Sequence, residues 1–339
     1  MLTRETVESI VECRLPESQI ISHLEALAAS ELEQETIRTF IEVLFATLDE
    51  RSRRLHDVIG ALDCSGTGGS GLPHFNTSTT VAFVLAAGGL NVAKFGNRAA
   101  LGQCGSFDLL DALGIPASTP PEAVPELLGE VGLAFLFAPQ YYPGLARLAP
   151  IRKSIGKRTI FNSIGPLLNP VRPYYRVMGV SCSRSQQLAA EYLASEKSNR
   201  RSLIVRSESG LDELEPGRHN LVFDSMQGYV TRHEMYFAQD EFSGSTPNST
   251  PVSSRGTQDG LGYTFSAEDN YRLFLDTIDG VAPQAVVDIV CLNAAAGFVA
   301  SGYADLNSSI ELSRQLLVCG QVKEKVEQCR RAYAKLATR

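Results

Sequence analysis

The stretch Asp63-Cys64-Ser65-Gly66-Thr67-Gly68-Gly69-Ser70-Gly71 decides how this chain is read. It follows the apolar run Ala61 to Ser65 and leads through Asn76-Thr77-Ser78-Thr79 into the apolar helical run Val81 to Ala87. Four glycines in six residues let backbone N–H groups converge without interference from Cβ atoms. Ser78 or Thr79 can cap the helix that follows, whose positive end faces the same spot. This is a recipe for gripping phosphate or diphosphate. On these residues alone, a glycine-rich turn with no ligand is an equal alternative. No Gly-Lys-Ser follows and the spacing is not G-x-G-x-x-G, so the loop is neither a Walker A loop nor a dinucleotide fingerprint.

A second apolar run, Leu90 to Phe95, delivers Lys94-Phe95-Gly96-Asn97-Arg98 at a strand's carboxyl end, where open α/β sheets place ligands. Lys94 and Arg98 bring positive charge, and Asn97 brings an amide that donates and accepts. Farther on, Leu211-Asp212-Glu213-Leu214 follows the strand Ser202 to Val205 and the turn Ser209-Gly210. Adjacent carboxylates on a loop are ordinarily just solvated. If this loop faces the glycine turn, the pair suits Mg²⁺, which is held by one or two carboxylates together with substrate phosphate oxygens and water.

The rest of the chain supplies the frame. From Thr3 to about Leu55, apolar residues recur at helical spacing (Val7, Ile10, Val11; Ile20, Ile21, Leu24, Leu27; Ile37, Ile41, Leu44, Leu48), which predicts roughly three helices. Short apolar runs then alternate with helical stretches: Ala61 to Ser65, Leu90 to Phe95, Leu133 to Phe137, Arg158 to Phe161, Arg176 to Val180 and Ser202 to Val205. Strands alternating with helices imply a largely parallel, two-sided sheet. The predicted fold is therefore α/β, a small helical domain over residues 1–56 beside a larger α/β domain over 57–339. A helical excursion at about 116–130 could fold back onto the first helices. Ser243 to Gly260, rich in Ser, Thr, Gly and Pro, reads as an exposed loop, and the carboxyl-terminal part as two helices, Ala285 to Ala300 and Ser308 to Leu317, with a basic tail from Lys323 to Arg331.

Composition excludes other function classes. The 38 acidic and 31 basic side chains give a net charge of -7 over 339 residues, which repels polyanions and lipid headgroups. The longest apolar stretch, Val81 to Leu90, is about half of a bilayer span. These features argue against nucleic-acid and membrane roles. The seven cysteines form no Cys-x-x-Cys or Cys/His cluster, which points to free thiols in a reducing cytosol.

Several long motifs in order resemble one family, anthranilate phosphoribosyltransferase. They are Gly66-Thr67-Gly68-Gly69-Ser70-Gly71 with Asn76-Thr77-Ser78-Thr79, then Lys94-Phe95-Gly96-Asn97-Arg98, then Arg158-Thr159-Ile160-Phe161-Asn162-Ser163-Ile164-Gly165-Pro166-Leu167-Leu168-Asn169-Pro170, then Gly210-Leu211-Asp212-Glu213. The resemblance runs from the first helices to Leu292-Asn293-Ala294-Ala295. It implies a nucleoside phosphorylase/phosphoribosyltransferase-like fold, a homodimer through the helical part, and transfer of phosphoribosyl from phosphoribosyl pyrophosphate to the amine of anthranilate, in the cytoplasm and with Mg²⁺. By position it also implies that Gly66, Thr67, Gly68 and Gly69 wrap the diphosphate, with Asn76, Ser78 and Thr79 lining its far side. Lys94 would contact the leaving group, Asn97 would help hold the acceptor, and Ser78, Asp212 and Glu213 would ligate Mg²⁺. Arg152 would pair with the acceptor's carboxylate, for which a guanidinium fork is the natural partner.

The chain departs from the family pattern at four places. Phe95 stands where the family has a histidine after the lysine, and Tyr142 before Pro143 where it has a second; both histidines shape the acceptor side. Ser70 replaces an acidic residue in the glycine loop, and Leu101-Gly102-Gln103-Cys104-Gly105 replaces a serine-rich turn. Three readings stay open: an anthranilate enzyme of tryptophan synthesis; a related phosphoribosyltransferase for another aromatic or heteroaromatic acid, with Phe95 and Tyr142 forming a stacking wall; and a non-catalytic binding paralogue. Lys94, Asn97, Arg152, Asp212 and Glu213, together with the acidic charge, argue against the last.

Overall fold

The computed structural model describes residues 2–58, 60–68, 75–98, 104–238 and 266–338. The chain opens with helices α1 (Arg4–Val11), α2 (Glu17–Ala29), α3 (Gln34–Ala46) and the short α4 (Glu50–Arg53). Thr3 caps α1 by accepting from the Thr6 amide at 3.2 Å, and Asp49 caps α4 by accepting from the Ser52 amide at 2.7 Å. Along α3 the stripe Ile37, Phe40, Ile41 and Leu44 is buried, as its helical spacing requires.

The α/β part follows as β1 (Leu62–Asp63), α5 (Thr77–Ala87), β2 (Val92–Gly96), α6 (Ser106–Ala112), α7 (Ala123–Val131) and β3 (Leu133–Phe137). Next come α8 (Ala138–Tyr141), α9 (Pro143–Ile155), α10 (Ile160–Ile164), β4 (Tyr175–Gly179), α11 (Ser183–Ser195) and β5 (Arg201–Ser207). A hairpin of β6 (His219–Met226) and β7 (Tyr229–Tyr236) and helices α12 (Ala267–Ile278), α13 (Gln284–Ala300), α14 (Leu306–Val318) and α15 (Gln321–Ala337) complete the described chain.

The strands form one sheet in the order β3-β2-β1-β4-β5-β6-β7; the first five pair in parallel, and β6 and β7 are antiparallel. The chain leaves β1 on one side toward β2 and returns on the other at β4. This is a topological switch point, and ligands of such sheets sit at the carboxyl ends of the strands there. Helix α13 packs along β4, β5 and α5, while α11 packs on β5, β6 and α3. The amino-terminal helices rest on α9, α10 and α11, and one continuous apolar core runs from Val7 to Tyr333. A Cβ on Gly144 of α9 would lie 2.7 Å from the Val11 carbonyl oxygen, so only glycine lets α9 meet α1 there. Of the 116–130 segment, Glu122 reaches Arg51 at 3.1 Å, while α7 itself packs on α15, β2 and β3.

Two expectations are corrected. Arg158 to Phe161 is no strand: Thr159 and Asn162 form a capping box, with the Thr159 amide donating to Asn162 Oδ1 at 2.9 Å, and this starts α10. The basic tail belongs to the 17-residue helix α15, whose Val322, Val326, Cys329 and Tyr333 are buried at helical spacing. The chain also holds elements not foreseen, α12 and the β6–β7 hairpin. The predicted loop Ser243 to Gly260 lies outside the described residues.

Candidate active site

The glycine turn leaves β1 beside the end of β4. Gly66 bridges to Gly179, and the Thr67 amide donates to the Gly179 carbonyl at 2.8 Å. The loop carrying Asp212 lies directly on both glycines. A Cβ on Gly179 would fall 1.7 Å from the Asp212 carbonyl oxygen, and one on Gly66 would fall 2.7 Å from Asp212 Oδ2. Gly68 adopts a left-handed backbone, φ +58°, and its N–H donates to Asp212 Oδ2 at 2.7 Å. The glycine turn and the twin-acid loop, 144 residues apart in sequence at this contact, thus touch directly.

Lys94 comes to the same place from β2. It is 2% exposed, and its ammonium donates to the Cys64 carbonyl at 3.0 Å and to Ser78 Oγ at 3.2 Å. Nearby, the buried Asp63 carboxylate accepts from Ser65 Oγ at 2.9 Å, Asn169 Nδ2 at 3.0 Å and the Phe95 amide at 3.3 Å. Burial pushes the Asp63 carboxyl up from its ordinary value, and the charge of Lys94 opposes that shift. Asn169 Nδ2 also donates to the Ala93 carbonyl at 2.8 Å, so this one amide ties β1 to β2.

Asp212 and Glu213 are both buried, and Asp212 Oδ1 and Glu213 Oε2 have no hydrogen-bond partner. Burial, then the neighbouring Asp212 charge, holds the Glu213 carboxyl well above its usual range, against a hydrogen bond with the Thr77 side chain that lowers it. The loop is fixed by Asn293 of α13, whose side chain accepts from the Leu214 amide and donates to the Leu214 carbonyl, both at 2.9 Å. Among the described residues no three His, Cys, Asp or Glu side chains gather as a self-sufficient metal cage. Two buried carboxylates with unused oxygens fit a cation that takes its remaining ligands from phosphate and water.

The remaining predicted residues divide. Ser78 and Thr79 do not cap α5, because the helix begins at Thr77 with Asn76 in the cap position. Ser78 is instead the acceptor for Lys94, and the Thr79 hydroxyl is buried without a partner. Asn76 Nδ2 donates to Cys104 Sγ at 3.2 Å and to the Gly105 carbonyl at 3.4 Å. Asn97 is exposed and accepts from the Arg98 amide at 2.8 Å. Arg98 is matched by Asp111 and, at 3.6 Å, by Asp108, so its charge is neutralised locally. Phe95 and Tyr142 are buried and meet edge to face at 6.1 Å, and the Tyr142 hydroxyl donates to the Leu168 carbonyl at 2.7 Å. Arg152 lies on α9 with its guanidinium 5.4 Å over the Phe161 ring and one long bond, 3.4 Å, to Asn162 Oδ1. Burial lowers its pKa, and its Nε has no partner, which leaves the fork able to take up a carboxylate. Gly69, Ser70 and residues 101–103 lie outside the described residues.

Comparison with known proteins gives the family of the chain. A family model described as glycosyl transferase family, a/b domain, matches residues 59–323. The anthranilate phosphoribosyltransferase of Syntrophomonas wolfei is 33% identical over 325 residues, 95% of this chain and 90% of that protein. That of Chloroflexus aurantiacus is 32% identical over 344 residues, 97% and 98% of the two chains. The chain belongs to the anthranilate phosphoribosyltransferase family. It is an enzyme of the phosphoribosyltransferase class. The crystal structure of the Thermus thermophilus enzyme superposes with a TM-score of 0.79 at 30% identity, covering 98% of this chain and 94% of that one. The Saccharomyces cerevisiae enzyme in complex with PRPP and Mg shares the fold at a TM-score of 0.80 and 22% identity, over 98% and 92% of the chains. The small helical domain and the α/β domain of this chain are those of the family. No described helix is long and apolar enough to cross a membrane, and all seven cysteines carry free thiols.

The motifs point to the glycine turn, Lys94 and the acid pair, but they assign no part to Asp63, Asn169, Ser181 or Asn293. The signal for Asn169 and Asn293 is an asparagine set inside an otherwise apolar run, a placement that calls for buried hydrogen-bond partners.

Proposed function

We propose that this phosphoribosyltransferase moves phosphoribosyl from phosphoribosyl pyrophosphate to the amine of anthranilate with Mg²⁺. The contact that carries the reading is the 2.7 Å bond from the Gly68 N–H to Asp212, which gathers an anion-gripping turn and a cation-holding loop into one place, with Lys94 alongside. The glycine turn wraps the diphosphate with the Lys94 ammonium beside it, and Asp212 and Glu213, with Ser78, hold the metal. Bound there, Mg²⁺ neutralises charge building on the departing diphosphate.

An aryl amine is neutral at pH 7 and needs no base to become nucleophilic. The barrier lies in parting the anomeric carbon from diphosphate, so fixed positive charge at the leaving group does most of the catalysis. The C–O bond breaks with its electron pair passing to diphosphate, the amine lone pair forms the C–N bond, and one N–H proton leaves to water. Arg152 orients the acceptor through its carboxylate, and Asn97 closes that side. Phe95 and Tyr142 supply an apolar aromatic wall.

That wall also favours a second reading, in which the acceptor is a different aromatic or heteroaromatic acid, because the one hydroxyl on it is committed to Leu168. An acceptor panel separates the two. With Mg²⁺ and phosphoribosyl pyrophosphate, loss of anthranilate fluorescence supports the first; no loss, with diphosphate released on adding another aromatic acid, replaces it. The family resemblance further supports a homodimer through the helical part, which sedimentation of the purified protein tests. The free thiols suit the cytoplasm.

A further inference from the structure

Arg158 opens the Arg158-to-Pro170 motif, and no role in binding or catalysis has so far been attached to it. It stands just before α10, and its Nη1 donates to the Gly68 carbonyl at 3.1 Å and to Ser181 Oγ at 2.7 Å. Ser181 follows β4 and touches the same turn twice: its amide donates to Thr67 Oγ1 and its hydroxyl to the Gly68 carbonyl, each at 3.4 Å. Arg206 of β5 steadies Ser181 from behind, with Nε 3.4 Å from the Ser181 carbonyl.

We infer that Arg158, acting with Ser181, is a positioning residue for the donor: it holds the Gly68 carbonyl on the Arg158–Ser181 side of the turn. The inference rests on the phosphoribosyl transfer proposed above. Gly68 has a left-handed backbone and no side chain, so little in its own covalent structure resists a flip of its peptide. A flipped peptide would turn a carbonyl oxygen, the negative end of its dipole, toward an incoming polyanion. The guanidinium prevents this with a charge-assisted bond, about twice as strong as a neutral one, and Ser181 adds a second. With the Gly68 N–H also held by Asp212, the peptide groups on both sides of this residue are restrained.

The test compares Arg158→Lys with Arg158→Met. Lysine restores a cation that can reach the carbonyl, whereas methionine restores only bulk. The methionine variant should raise the KM for phosphoribosyl pyrophosphate by about thirtyfold, the range expected for losing a charged hydrogen bond. Its kcat and the KM for the acceptor should move far less, its thermal midpoint should fall by no more than a few degrees, and lysine should recover most of the loss. Ser181→Ala placed on Arg158→Met should cost less than the product of the single effects, because both act through one carbonyl. Equal donor KM values in the lysine and methionine variants overturn the inference while leaving the reading intact if wild type turns over. A methionine variant whose losses fall on kcat or thermal midpoint instead also overturns it. A wild-type protein that neither binds phosphoribosyl pyrophosphate with Mg²⁺ by calorimetry nor uses it overturns the reading and this inference together.

Discussion

Single residues divide here by what burial does to them. Tyr142 is buried and its hydroxyl holds the Leu168 carbonyl, so Tyr142→Phe should cost about 1 kcal/mol in chemical denaturation, the usual net worth of one such bond. The cysteines separate more sharply. Burial pushes Cys64, Cys291 and Cys329 up to about 12. At Cys182 burial pulls upward as well, but hydrogen bonds with Ser185 and Arg184 and the charge of Arg158 outweigh it and bring the thiol below its ordinary value. Alkylation followed by mass spectrometry at neutral pH should label Cys182 and spare the other three; a faster Cys64 would contradict the geometry. Residue identities alone do not reveal this difference, since the seven cysteines look alike in sequence and only the fold sets their surroundings.

Elements carry the site through close approach. The parallel run of β1 and β4 ends on Gly66 and Gly179, and the loop after β5 lies on both. Gly179→Ala would set a Cβ into the Asp212 carbonyl, a backbone atom that cannot turn aside, so it should abolish Mg²⁺-dependent turnover and lower stability. Wild-type rates in that variant would refute the packing. The loop also sets a pH dependence. A glutamate with its folded pKa raised binds its proton more tightly when folded than when unfolded. Stability of the metal-free protein should therefore fall as pH climbs from the ordinary carboxyl range through the raised Glu213 value. Glu213→Gln should flatten that fall, as read from denaturant midpoints across pH. At this scale the sequence was legible where a pattern was long and regular, as in α3, α5 and α13. It misled at Arg158 to Phe161, where a capping box outweighs four residues of strand-like composition, and it was silent on β7, whose two faces are both largely exposed and give no alternation to read.

Across the whole molecule, one continuous core joins the amino-terminal helices to the α/β part, and the sheet's switch point brings together segments from residues 62 to 213. Motif order pointed to the turns proposed to bear the chemistry. That they meet is a property of the strand order β2-β1-β4-β5, in which β1 and β4 lie side by side between the lysine-bearing strand and the one that leads into the acid loop. What ties the turns together, Asn169 across β1 and β2 and Asn293 on the acid loop, depends on buried hydrogen bonds that no local pattern announces. The most direct measurement of the shared site is calorimetry of phosphoribosyl pyrophosphate binding to wild type and to an Asp212→Asn, Glu213→Gln double variant of unchanged circular dichroism, with and without Mg²⁺. Saturable heat in wild type that depends on the metal and vanishes in the variant is the predicted result; equal binding by both proteins, or none in wild type with the metal present, would contradict a site built from these three turns.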